Sequence, residues 1–110
     1  MELENVEDIA AWQRAQAGLA EQREQINQID TQIAQLIATR FATVEHIATL
    51  KQSAAVPVLN ADREAQVLDH VAAAVDSDAL AAHVRRIFTT IMAESRAYQE
   101  GRISGQQKKA

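Results

Sequence analysis

The 110-residue chain contains no cysteine, which excludes disulfides, thiolate catalysis and a Cys-ligated zinc site. One proline and three glycines leave few places where a helix must stop, and an aromatic content of 4% argues against a β-rich fold. No stretch reaches the roughly eighteen apolar residues of a membrane span. The opening Met1-Glu-Leu-Glu-Asn-Val-Glu-Asp8 is acidic where a secretory leader is basic and then apolar, so a cytoplasmic protein with no membrane partner is expected. Basic charge is scarce as well: 11 Lys and Arg against 15 Asp and Glu give a net charge of -4, which disfavours a nucleic-acid partner. His46, His70 and His83 show no paired metal-ligand spacing, so no metal site is expected, and they read as ordinary surface or half-buried helix residues.

What is present is helix-forming: 47% of the chain is hydrophobic, with long runs of Ala, Gln, Leu, Ile and Glu. Leu19, Ile26, Ile29, Ile33, Leu36, Ile37, Val44, Ile47 and Leu50 recur mostly in steps of three, four and seven, which trace one face of a helix over about residues 19–53. Such a helix is on the order of 50 Å long, too long to cover its own apolar face. Upstream, Ile9, Trp12, Ala15 and Leu19 keep the spacing, so residues 1–18 either extend the helix through Gly18 or fold back on it. Pro57 marks the main loop, Ser53 to Asn60, and Asn60 is placed to cap a second helix carrying Val67, Leu68, Val71 and Val75 inward. Asp76-Ser77-Asp78 interrupts that pattern ahead of a third helix that is expected to bury Leu80, Val84, Ile87, Phe88, Ile91 and Met92. The polar residues 101–110 read as a fraying tail. The fold expected is all-α, with three helices and a very long first one.

Cations sit where this pattern calls for apolar residues. Arg40 lies four residues after Leu36 and four before Val44, and Lys51 lies seven after Val44 in the same lane. Their separation of eleven residues is close to three whole turns, so the two point within about 20° of each other, with Cα atoms about 16 Å apart. A buried cation without a partner is costly, which calls for an anion between them. Arg23 is also near the stripe, but it is about 25 Å from Arg40 along a straight helix and could join Lys51 only from a second chain. An antiparallel pairing of two first helices would bring it there and would cover the bare apolar face. In the third helix the stripe turns polar at Ser95 and Gln99, which share a face, while Glu64 follows Arg63 near the positive end of the second helix. Each feature also has a bland reading. Arg and Lys can snorkel to water, Ser95 can bond back to its own helix, Gln99 can be surface, Asn60 can be only a cap, and Arg63 with Glu64 can be a solvated pair.

Taken together, Arg23-Glu-Gln-Ile-Asn-Gln-Ile-Asp30 with the apolar run to Arg40, Ile47-Ala-Thr-Leu-Lys51, Pro57-Val-Leu-Asn-Ala-Asp-Arg-Glu64 and Ile91-Met-Ala-Glu-Ser-Arg-Ala-Tyr-Gln99 resemble the small all-helical, type II chorismate mutases over about residues 19–100. The order and spacing of these pieces carry the likeness more than any one of them. It implies an intertwined homodimeric helical bundle that converts chorismate to prephenate in aromatic amino-acid biosynthesis, without a cofactor. By position, it implies that Arg40 and Ser95 hold the ring carboxylate, and that Lys51 with Arg23 of the neighbouring chain holds the enolpyruvyl carboxylate. Lys51 and Gln99 donate to the ether oxygen, Glu64 and residue 60 meet the ring hydroxyl, and Arg63 lines the pocket. Many relatives carry Asp where this chain has Asn60, so one negative charge of the family pattern is absent beside the ring substituent.

Two other readings stand beside this one. An isochorismate-pyruvate lyase or an aminodeoxychorismate mutase would use the same scaffold on a sibling substrate. A non-catalytic helical dimerisation module would need none of the stripe cations.

Overall fold

The computed structural model describes residues 5–109, with side chains described for 5–105. The opening residues 1–4 and the last of the tail, Ala110, therefore lie outside the described residues. Three helices follow in order: α1 Val6–Ala54, α2 Ala61–Ala73 and α3 Asp78–Lys109. The all-α expectation holds, and the described residues contain no strand. No described helix is long and apolar enough to cross a membrane.

Each helix starts and stops for a local reason. Asn5 opens α1, its side chain accepting from the Asp8 amide at 2.9 Å and its carbonyl from the Ile9 amide at 3.1 Å. The upstream segment thus extends the first helix rather than folding back, and it carries Gly18 through at a position where a Cβ would meet nothing within 4 Å. At the other end Ala55 takes φ 56°, and the amides of Val56 and Ala55 return to the carbonyls of Lys51 and Gln52 at 2.8 and 3.4 Å. That is a Schellman stop built on alanine where glycine is the usual occupant. Asn60 caps α2 in extended conformation, its side chain accepting from the Arg63 amide at 3.0 Å. Ser77 does the same for α3, accepting from the Leu80 amide at 3.3 Å.

The chain divides into two compact units, Met1–Thr39 and Arg40–Ala110. In the first, the helix is exposed almost throughout: the stripe residues Leu19, Ile26, Ile29, Ile33 and Leu36 all face solvent, Ile26 at 53%. In the second, the C-terminal part of α1 meets α3 through side chains, and α2 packs on α3. Val44 and Ala48 of α1 are buried there, as are Met92, Ser95 and Gln99 of α3. The Phe41 and Tyr98 rings pack with centroids 5.1 Å apart. Arg102 donates to the Glu45 carbonyl at 2.5 Å and to the Thr49 hydroxyl at 2.6 Å, tying the late part of α3 to α1.

One expectation changes. Leu80 and Ile87 are not buried by this chain but exposed, because the spacing of α3 supplies a wider apolar band than α2 and α1 cover. α3 runs on through the polar residues to Lys109, past Gly101 and Gly105, where an added Cβ would meet nothing within 4 Å.

Candidate functional site

Within the second unit one cavity of about 210 Å³ opens between the three helices, a size that suits a compact small molecule rather than a drug-sized one. Its lining combines apolar Val44, Ile47, Val58, Val67 and Met92 with several charged side chains. Seven residues singled out from the sequence line it: Arg40, Lys51, Asn60, Arg63, Glu64, Ser95 and Gln99. The eighth, Arg23, belongs to the first unit and is not among the lining residues.

Arg40 and Lys51 arrive on the same face of α1 because eleven residues make nearly three whole turns, and each is tethered. The Arg40 guanidinium donates to the Ser95 hydroxyl at 2.6 Å, and that hydroxyl donates in turn to the Ile91 carbonyl at 2.8 Å. Ser95 therefore does bond back to its own helix, as its bland reading has it, and this bond aims its lone pairs at Arg40. Lys51 donates one of its three protons to the Val58 carbonyl at 2.7 Å, which pins the ammonium under the Pro57 loop and leaves two donors free. Neither cation snorkels freely.

Gln99 lies one turn beyond Ser95 on α3, only 6% exposed, and its Oε1 has no hydrogen-bond partner. A surface position for it is thereby excluded. A buried amide oxygen left unsatisfied costs on the order of 1–3 kcal/mol, and a donor from outside the chain would relieve that cost. Asn60 spends its Oδ1 on the α2 cap, which leaves its amide NH2 as the part able to meet a ligand.

Glu64 is not a solvated partner of Arg63. Its two carboxylate oxygens both accept from one nitrogen of Arg96, at 2.5 Å each, with side chains about one-quarter and one-third exposed. Arg63 makes no side-chain hydrogen bond or ion pair among the described residues. Arg96 also lines the cavity and was missed in the sequence. One signal could have found it: it lies three residues before Gln99 and so shares that side of α3.

The lining thus carries four cations, Arg40, Lys51, Arg63 and Arg96, against the single carboxylate of Glu64. With Arg96 and Glu64 neutralising each other, a surplus of positive charge faces a small cavity that also holds a buried hydroxyl and a buried amide. That arrangement suits a compact multiply charged anion.

The family model for chorismate mutase type II matches residues 22–100. The chain belongs to the type II chorismate mutase family. The match runs from just before Arg23 to just past Gln99 and so contains every lining residue of the cavity. The family relation supports chorismate mutase as the function and, more coarsely, isomerase as the enzyme class. Comparison with curated proteins and with solved structures returns no match.

Proposed function

We propose that this chain is a chorismate mutase that rearranges chorismate to prephenate within the cavity between its three helices. The observation that carries the reading is the cluster of tethered Arg40 and Lys51 with buried Ser95 and Gln99 around one small cavity, in a chain of this family. Chorismate is a dianion, and its rearrangement breaks a C–O bond while it forms a C–C bond, with no nucleophile and no proton to be moved. What accelerates such a reaction is a fixed compact conformer together with donors aimed at the oxygen that gains negative charge.

In this reading Arg40, held by Ser95, takes the ring carboxylate. Lys51 takes the enolpyruvyl carboxylate and, with the Gln99 amide, donates to the ether oxygen as the bond breaks. The unpaired atom of Gln99 is its Oε1, an acceptor, so a role at the ether oxygen uses the NH2 of the same buried amide. Because the side-chain O and N of glutamine can be exchanged by rotation, the same amide can present its NH2 to the ether oxygen. Glu64 accepts from the ring hydroxyl, the Asn60 NH2 stands beside it, and Arg63 closes the rim. Lysine and amide donors suffice, and no cofactor is called for.

The working form in this proposal is a homodimer. A single chain leaves the stripe from Leu19 to Leu36 in water, and a second copy covers it. The same pairing delivers Arg23 of one chain to the enolpyruvyl carboxylate in the other. The direct test is loss of chorismate absorbance on adding purified protein, with identification of the product. Prephenate is the expected product. No loss of chorismate, with isochorismate or aminodeoxychorismate consumed instead, would overturn the assignment.

A further inference from the structure

The bond between Arg96 and Glu64 is required by none of the proposed contacts to the reacting atoms. It joins α2 to α3 across 32 residues, lies at the cavity wall, and is formed between two side chains that are both partly buried. An ordinary surface pair would contribute little to stability. Its effect on Glu64 is specific. A carboxylate has about four lone-pair sites, and Arg96 occupies one on each oxygen, so the remaining acceptor directions are fixed rather than free to rotate. The pairing also compensates the one negative charge in a cavity that must admit a dianion.

We infer that Arg96 is a positioning residue for substrate recognition: by holding both oxygens of Glu64 it aims that carboxylate at the ring hydroxyl and sets selectivity for a ligand that carries one. The inference rests on the proposed mutase function. It assigns Arg96 no contact with the reacting atoms. Asn60 sharpens it, because the residue beside Glu64 is a neutral amide whose oxygen is committed to the α2 cap. Among the described residues Glu64 is then the only carboxylate lining the cavity able to accept from the hydroxyl, and its orientation has no second carboxylate to share the task.

Arg96→Met tests this, since it keeps the apolar stem and removes the single nitrogen from which both Glu64 oxygens accept, a contact that a lysine ammonium could remake. Steady-state kinetics would be compared on chorismate and on a chorismate analogue lacking the ring hydroxyl. The expected result is a fall of about tenfold in kcat/KM for chorismate, with the analogue within about twofold of wild type. In a Glu64→Gln background the same substitution is expected to add no further loss on chorismate, because both changes act through one contact. Equal losses on both ligands with a matching drop in Tm, unchanged kinetics on both, or losses that multiply in the double variant would each overturn the inference. Wild-type protein that turns over neither ligand would instead reject the mutase reading, and this inference with it.

Discussion

The Arg40 guanidinium and the Ser95 hydroxyl meet at 2.6 Å although 55 residues separate them in the chain. Ser95 is 5% exposed and is itself held by the Ile91 carbonyl, so α3 fixes the direction in which a cation on α1 points. A cation steered in this way has lost its rotamer freedom before any ligand arrives.

Ser95→Ala removes that acceptor and lets Arg40 wander. Loss of one hydrogen bond to a charged group amounts to about 1.5–3 kcal/mol, so kcat/KM for chorismate is expected to fall by about tenfold to a hundredfold. The loss should show mainly as a higher KM, because in the proposed role Arg40 grips a carboxylate that changes little along the reaction. An unchanged KM with a lower kcat would contradict this division of labour.

Lys51→Ala removes the donor proposed for the oxygen that gains charge. The expected loss in kcat is about a hundredfold to a thousandfold, the usual consequence of deleting one preorganised donor. Circular dichroism should show the helices intact, with a small drop in Tm from the lost bond to Val58. A dimerisation module would keep its assembly and have no turnover to lose.

Gln99→Glu places a titratable group in a buried position where the proposed role requires a donor. A carboxyl donates only while protonated, and burial raises its pKa. The variant should therefore be active at low pH and lose turnover as pH rises through that pKa. The wild-type amide does not titrate and imposes no such limb. A flat pH profile for the variant would remove Gln99 from the ether oxygen.

Arg23 is tested by complementation. Mixed after unfolding and refolding, Arg23→Ala and Lys51→Ala chains should recover about a quarter of wild-type activity, because half the dimers are mixed and each holds one complete site. If Arg23 acts within its own chain, no mixture regains activity. The same dimer is expected to fail in Ile33→Glu, which puts a charge on the bare stripe and should yield a monomer by sedimentation.

Ala55→Gly is predicted to stabilise. Alanine at φ 56° in the Schellman stop carries a left-handed penalty that glycine does not, and relief of it should raise stability by up to about 1 kcal/mol. Thermal unfolding would register this as a higher Tm, and a lower one would mean that the Ala55 methyl stabilises the turn.

By itself the sequence determined that there are three helices, their order, the cap at Asn60 and the break at Pro57, because these depend on neighbours within one or two turns, while it left open whether the segment before Gly18 extends α1. It also determined that Arg40 and Lys51 share a face, since that follows from eleven residues of helix, and the segments around Arg23, Lys51, Glu64 and Gln99 already resembled the family that the chain matches. Tertiary structure decided the rest. Whether Gln99 faced water or a cavity, and whether Glu64 paired with Arg63 or with Arg96, depended on how α2 and α3 are turned about their axes once the loops close. The exposure of Leu80 and Ile87 was decided in the same way, by what lies opposite them. Helical periodicity says which side chains share a face, and only packing across 32 or 55 residues says what that face meets.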